Sequence, residues 1–126
     1  MEKYTEIELS TMDFDFFFKK ENQIIVIASN GQILDKFLAL EYDKQNKLYE
    51  YFESLKDDSD FTINDESLDY PDNSSFTDWA KKGVYSYDLD TDTTEEVLAA
   101  IPTKPLELTD LPSEILELLT EFSKKD

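Results

Sequence analysis

The first part of the chain alternates apolar and polar residues with the period of two that is typical of β-strands. Phe14, Phe16 and Phe18 fall on one side of this alternation, and the residues between them fall on the other. A half-buried strand buries every second side chain, so this pattern predicts a strand over residues 7–18.

A turn signal follows the short apolar run at residues 24–28, which is rich in β-branched side chains. Asn30-Gly31 separates this run from a second apolar run that begins at residue 32. Asn-Gly between two apolar runs favours a hairpin, because both central positions of that turn need a positive φ. We therefore predict a hairpin with strands over 23–29 and 32–38.

Between residues 41 and 56 the period lengthens to that of a helix. Leu48, Phe52 and Leu55 recur at helical spacing, with several tyrosines around them, so we predict a helix with a broad aromatic face. This aromatic set is too wide for one buried face. We expect one or two of three tyrosines to be exposed: Tyr42, Tyr49 and Tyr51.

The second half of the chain contains shorter patterns. An alternating run over 84–89 and an apolar run over 97–101 flank a polar turn and predict a second hairpin. Apolar residues at helical spacing predict a helix over 112–122. Three further short elements are expected: a strand over 61–63, a helix over 76–82 that ends at Gly83, and an edge strand over 106–108.

The order of these elements predicts a single α+β domain over residues 1–126, a length within the usual range for one domain. Both predicted strand pairs are hairpins, and hairpins pair antiparallel. We therefore expect an antiparallel sheet built from two hairpins and covered on one face by the two longer helices. Residues 57–73 are expected to form a long surface loop.

The charge of the chain is strongly negative and unevenly distributed. Thirty acids and twelve lysines give a formal net charge of −18, of which residues 1–56 contribute −4 and residues 57–126 contribute −14. A folded surface this negative repels itself and costs stability. A basic partner would offset that cost, whereas solubility alone needs far less charge.

Several kinds of chemistry require residues that this chain lacks. It contains no histidine and no cysteine, so no Ser-His-Asp triad, Cys-His pair, disulfide or thiolate zinc site can form. Its two glycines cannot build a phosphate-cradling loop. We therefore expect no enzymatic activity and no cofactor, although paired carboxylates remain formally open to glycosidase chemistry.

The composition also bears on partners and compartment. All positive charges are lysine and the sequence pI is about 4.1, so direct binding of DNA or RNA phosphates is not expected. Anionic membrane surfaces should repel the protein. No basic and apolar secretion signal is visible near Met1, and the longest apolar run is too short to span a bilayer. We expect a cytoplasmic protein.

One acidic segment begins like a calcium loop. Asp88, Asp90 and Asp92 occupy its first, third and fifth positions. The pattern then fails, because Thr93 stands where the sharp turn needs glycine and Ala99 stands where a bidentate glutamate belongs. We interpret the segment as a solvated hairpin turn with outward-facing acids and expect no metal site.

A partner-binding surface is the function that the remaining residues indicate. Acidic groups steer a basic partner and speed its association, and aromatic side chains among them anchor it. The alternative is that Trp79 is core, Tyr70 packs under a loop and the acids only keep the protein in solution. The predicted partner-binding residues are Asp57, Asp58, Asp60, Asp65, Glu66, Asp69, Tyr70, Asp72, Asp78 and Trp79.

Four functions remain open at this point. Small size, strong acidity and the lack of catalytic residues resemble the broad class of immunity proteins, which would neutralise a basic toxin such as a nuclease; no particular family is matched by motif. A DNA mimic needs carboxylates spaced like duplex phosphates over an extended face, and the clustering of the acids in the second half fits that only in part. A structural or adaptor domain that dimerises through exposed tyrosines is the third. Binding of divalent ions is the fourth.

Overall fold

The computed structural model describes residues 2–64, 74–90, 92–93 and 95–122. These residues form an α+β fold around an open five-stranded sheet with strand order β1-β2-β4-β5-β3. The strands are β1 Asp15–Lys20, β2 Gln23–Ala28, β3 Phe61–Ile63, β4 Tyr85–Leu89 and β5 Glu96–Pro102. The helices are α1 Glu6–Thr11, α2 Asp35–Leu38, α3 Tyr42–Glu53, α4 Ser74–Lys81 and α5 Ser113–Leu116, with a 3-10 turn at Leu108–Asp110.

The sheet is mixed, whereas the sequence predicted an antiparallel one. Three neighbouring pairs are antiparallel: β1 with β2, β4 with β5, and β3 with β5. The central pair, β2 with β4, is parallel. A parallel pair needs a long crossover, and here α2, α3, β3 and α4 lie between its two strands along the chain. The α+β class is confirmed.

Apolar side chains pack on both faces of the sheet, so the prediction of one covered face is wrong. Phe16 and Phe18 belong to one core with α1 and α2, while Phe17 belongs to a second core with α3 and α4. Successive residues of a strand point to opposite faces. Both faces of the sheet are therefore apolar, because of the run Phe16 to Phe18 and the buried 24–28 segment. Each apolar face has to be covered by other parts of the chain.

The N-terminal part of the predicted first strand is helical. Helix α1 begins after Thr5, whose hydroxyl accepts from the Glu8 backbone N–H at 3.1 Å, while the Glu8 carboxylate accepts from the Thr5 N–H at 3.0 Å. This reciprocal capping satisfies two backbone donors and starts a helix. The strand is confined to Asp15–Lys20.

The predicted hairpin at Asn30-Gly31 is wrong, although the turn chemistry is present. Both residues have positive φ, +51° and +73°, yet the chain leaves the sheet there and forms α2 at Asp35–Leu38. The partners of β2 are β1 and β4. The N-terminal hairpin is instead β1–β2, which turns at Glu21 with φ +56°.

The predicted C-terminal helix ends after one turn, at Leu116. Beyond it, Leu119 is buried in the core beside α3, whereas Phe122 is buried in the opposite core. A single helical face could not contact two cores on opposite faces of the sheet. The backbone instead runs along β1, where the Lys19 N–H donates to Thr120 O at 2.9 Å and the Phe122 N–H donates to Lys19 O at 2.7 Å. The predicted edge strand over 106–108 is also wrong, because a 3-10 turn begins at Leu108.

The remaining predicted elements are confirmed. The structure contains helix α3, the short strand β3, the hairpin β4–β5, and helix α4 followed by Gly83 with φ +94°. Tyr42 and Tyr49 are 39% and 40% exposed, as expected for a helix with too many tyrosines for one buried face.

Candidate acidic cleft

A concave cleft opens on the α3–α4 side of the sheet, with a volume of about 370 Å³. It forms where the first residue of β1, one face of α3 and the C-terminal half of α4 meet. We name it the acidic cleft, and its lining residues are Asp15, Tyr49, Glu53, Asp57, Asp78, Trp79 and Lys82.

Two aromatic rings, Tyr49 and Trp79, line the acidic cleft, and Phe17 joins them to the core. The Trp79 ring stands perpendicular to Phe17 at a centroid distance of 5.0 Å. Tyr49 meets Trp79 edge to face at 5.3 Å. Edge-to-face pairs at these distances are favourable. Trp79 is 7% exposed and Tyr49 is 40% exposed, so Trp79 supports the wall and Tyr49 presents an accessible ring.

Asp15 is half-buried and lines the acidic cleft. The Trp79 indole Nε1–H donates to its Oδ2 at 3.1 Å. Burial raises the pKa of Asp15, the indole donor lowers it, and the negative charge of Asp13 raises it again; the net direction is upward. The carboxylate is therefore partly removed from water and only partly compensated for that loss.

Tyr49 and Glu53 lie one helical turn apart on α3 and both line the acidic cleft. Burial, followed by the charge of Glu53 and its hydrogen bond with the phenol, raises the pKa of Tyr49. Tyr49 therefore keeps its proton at neutral pH. The phenol and the Glu53 carboxylate form one polar unit beside the ring.

A lysine of the chain itself lines the acidic cleft beside Asp57. Lys82 Nζ donates to Leu55 O at 2.6 Å and pairs with Asp57 Oδ1 at 3.2 Å. Its side chain is 15% exposed, so this ammonium is largely withdrawn from water. Asp78 lies at 4.0 Å from Lys81, with both side chains well exposed, and a pair of that kind contributes little.

The lining suits the binding of a cation. Four carboxylates and one ammonium give the acidic cleft a formal charge of −3 when all are ionised. Carboxylates form strong charge-assisted hydrogen bonds with guanidinium and ammonium groups, and an aromatic face attracts the same cations.

The structure brings together three of the predicted partner-binding residues: Asp57, Asp78 and Trp79. Asp57 and Asp78 are exposed. Trp79 is buried, so it serves as a wall and not as a protruding anchor. Five predicted residues lie outside the described part of the chain: Asp65, Glu66, Asp69, Tyr70 and Asp72.

Asp58 and Asp60 are exposed but do not line the acidic cleft. They lie on a connector after α3 that is fixed by backbone hydrogen bonds. The Ser59 N–H donates to Lys81 O at 2.9 Å, and the Thr103 N–H donates to Asp60 O at 2.8 Å. The first four residues of the predicted 57–73 loop are thus held against α4 and β5.

Sequence analysis missed four residues of the acidic cleft: Asp15, Tyr49, Glu53 and Lys82. Two signals for them exist in the sequence. Asp15 shares its strand face with Phe17, so a buried Phe17 implies an inward Asp15. Tyr49 and Glu53 are four residues apart on a predicted helix and must share a face.

The calcium-like segment forms the turn of the β4–β5 hairpin, with Asp92 exposed as predicted, but Asp88 does not face solvent. Asp88 is 3% exposed and accepts from the Leu89 N–H at 3.0 Å and from the Asn30 side-chain amide. Asp90 Oδ1 accepts from the Asp92 N–H at 2.8 Å. Asp88 is therefore an internal hydrogen-bond acceptor, which corrects the prediction that it faces outward. Across the described ranges, no group of three or more His, Cys, Asp or Glu side chains could hold a metal ion.

A second cavity of about 430 Å³ lies elsewhere, between the β1–β2 turn and the 105–109 segment. Glu107 is the one charged residue among those that line it, and Tyr85, Asn22 and Gln23 contribute neutral polar groups. It therefore does not share the cation-binding chemistry of the acidic cleft.

Comparisons with known proteins found no relative. No family model, no curated protein and no solved structure matches this chain. None of the helices in the described part of the chain is long and apolar enough to cross a membrane.

Proposed function

We propose that this protein binds and inhibits a basic protein, acting as a cytoplasmic immunity protein that neutralises a toxin such as a nuclease. The observation that carries this proposal is the acidic cleft, where four carboxylates meet the buried Trp79 ring and the exposed Tyr49 ring. A protein of this kind needs no catalytic chemistry of its own, and its function is the contact itself.

The charge of the whole chain supports a cationic partner. Even if each of the twelve lysines neutralised one carboxylate, eighteen of the thirty carboxylates would remain. Near the acidic cleft, Lys81 and Lys82 pair with Asp78 and Asp57, while the charges of Asp15 and Glu53 both act on the Tyr49 phenol. A toxin that cleaves nucleic acid needs a positive groove for phosphates, and such a groove is complementary to this surface.

The arrangement supports a cleft that receives a side chain of the partner more than it supports an extended surface that mimics DNA. A mimic needs carboxylates repeated along an extended face at the spacing of duplex phosphates. Asp57 and Asp78 instead lie at the rim of one concave cleft with aromatic walls. A concave site of this size suits a protruding side chain.

The proposal predicts that a basic toxin is encoded beside this protein. Calorimetry with that toxin tests it at about 0.1 M and about 1 M salt, where the Debye length falls from about 10 Å to about 3 Å. We expect binding at low salt and an affinity at least about tenfold weaker at high salt. Protection of cells from that toxin by this protein is the matching functional readout. Tight binding that is indifferent to salt, or no binding at low salt, would overturn the proposal.

A further inference from the structure

The side of the acidic cleft that β1 and α3 form contains two carboxylates and an exposed tyrosine. We propose that Asp15, Tyr49 and Glu53 seat the guanidinium of a single arginine side chain presented by the basic partner. This inference rests on the proposed function and adds the group that the acidic cleft recognises.

The size of the acidic cleft limits what can enter. Its volume of about 370 Å³ is near the lower end of roughly 300–1,000 Å³ for ligand pockets. A single long side chain fits this space, whereas a helix or a folded loop would remain at the rim. The exposed Asp57 and Asp78 then contact the surface around the inserted side chain.

Asp15 supplies a carboxylate with capacity to accept another donor. In the described part of the chain its hydrogen-bond donor is the Trp79 indole, which contacts Oδ2. A carboxylate has about four acceptor sites, and burial has removed part of its hydration. A guanidinium that donates to this carboxylate restores the lost hydrogen bonds and adds an opposite charge.

Tyr49 and Glu53 supply the other two contacts. Tyr49 is 40% exposed, so part of its ring is accessible in the acidic cleft. A guanidinium stacks on an aromatic face while its N–H fork donates to a carboxylate. Glu53 hydrogen-bonds the Tyr49 phenol, so its carboxylate lies beside that ring and offers a second acceptor.

Lys82 shows that the acidic cleft already accommodates a cation. Its ammonium is held by Asp57 and the Leu55 carbonyl, at 3.2 Å and 2.6 Å. In the described part of the chain that ammonium is not paired with Asp15 or Glu53. Arginine suits these two carboxylates better than a second lysine, because guanidinium is planar and more weakly hydrated than ammonium, so it loses less on contacting the half-buried Asp15.

The chain carries its own reporter for this binding, since Trp79 is its only tryptophan and its indole N–H contacts Asp15. The probe is Nα-acetyl-arginine amide, titrated at constant ionic strength and followed by tryptophan fluorescence. We expect a saturable change with a dissociation constant on the order of millimolar. The citrulline analogue, which has the same shape without the charge, should give no saturable change, and the lysine analogue should bind more weakly than arginine.

Two conservative variants identify the contacts. Asp15→Asn removes the charge and keeps an oxygen acceptor for the Trp79 indole. Glu53→Gln removes the charge of the α3 carboxylate and keeps an oxygen acceptor for the Tyr49 phenol. Each should weaken binding of the arginine probe by about fivefold or more. The matched control is Glu50→Gln, which removes one charge from an exposed residue of the same helix and should change the affinity by less than about twofold.

The outcomes separate this inference from the proposed function. Equal responses to arginine and citrulline, or unchanged affinity in both conservative variants, would overturn the arginine site. If the basic toxin binds with salt dependence and the Asp15→Asn and Glu53→Gln variants bind it as well as wild type, the proposed function stands and the arginine site fails. If the probe binds as expected but no basic protein does, the arginine site stands and the proposed function fails.

Discussion

At Phe17 the outer edge of β1 is closed by one side chain, and its removal should be costly. Gln45 on α3 is 4% exposed. The Phe17 N–H donates to Gln45 Oε1 at 2.9 Å, and Gln45 Nε2 donates to Phe17 O at 3.1 Å. The amide therefore occupies the place of a neighbouring strand at this residue. Gln45→Ala removes both partners and leaves a buried donor and a buried acceptor.

The size of the effect follows from those two groups. Each buried polar backbone group left without a partner costs about 1–3 kcal/mol. Together they predict that the free energy of unfolding falls by about 2–5 kcal/mol, because water that enters the site satisfies part of their hydrogen bonding. Because domains of this size are stable by only about 5–15 kcal/mol, this one substitution would remove a large share of the total.

Urea denaturation followed by tryptophan fluorescence measures this loss, because Trp79 packs on Phe17 and reports on the same core. The midpoint should fall with little change in the slope with urea. Asn46→Ala is the matched control: Asn46 is the next residue of the same helix and is exposed, so its replacement should leave stability within about 0.5 kcal/mol.

A stability for Gln45→Ala within about 0.5 kcal/mol of wild type would refute this account of the β1 edge. Gln45→Glu gives a second check. Its carboxylate can accept from the Phe17 N–H but cannot donate to Phe17 O unless it is protonated. Folding thus favours the protonated form, which raises the pKa of the new side chain. The deficit of Gln45→Glu relative to wild type should therefore shrink as pH falls.

Three further predictions concern the acidic cleft and its surroundings. Burial raises the pKa of Asp15 above its ordinary value of 3.8, so the contribution of Asp15 to stability falls as pH rises from that value through the raised pKa. Asp15→Asn should therefore gain stability relative to wild type over that window, measured by urea denaturation at several pH values. Gly83→Ala places a Cβ 2.9 Å from both Leu106 Cγ and Leu106 N at φ +94°, and should cost more than about 1–3 kcal/mol of stability. The double variant Asp57→Asn with Asp78→Asn should slow association with the basic partner several-fold in stopped-flow measurements at low salt.

Each of these predictions has a control and an outcome that contradicts it. A stability difference for Asp15→Asn that does not change with pH would contradict the burial of that carboxylate. Gly31→Ala also has positive φ, +73°, but its nearest neighbour is 3.5 Å away, so it should cost less than Gly83→Ala; equal costs would contradict the steric argument. Glu114→Gln with Glu117→Gln removes two exposed charges outside the acidic cleft, and an equal effect on association would show that position does not matter.

The candidate site was predictable from the sequence only in part. The acid-rich stretch pointed to Asp57, Asp78 and Trp79, which do line one cleft. It could not supply Asp15, which comes from β1, because a strand at the far end of the sequence reaches α4 only through the sheet. Trp79 was expected as an exposed anchor and is instead buried on Phe17. The number of charged residues near a tryptophan in the sequence does not show whether its side chain is buried or exposed.

The sequence alone determined the features that depend on neighbouring residues. Helical spacing placed α3, alternation placed the β4–β5 hairpin, and composition determined the negative charge, because each of these depends on residues close together along the chain. The tertiary structure decided which strands became neighbours. It made β2 and β4 parallel, turned the chain out of the sheet at Asn30-Gly31, and drew residues 119–122 along β1. Those outcomes depend on where unpaired strand edges and uncovered apolar faces meet in space, and the local pattern carries no record of that.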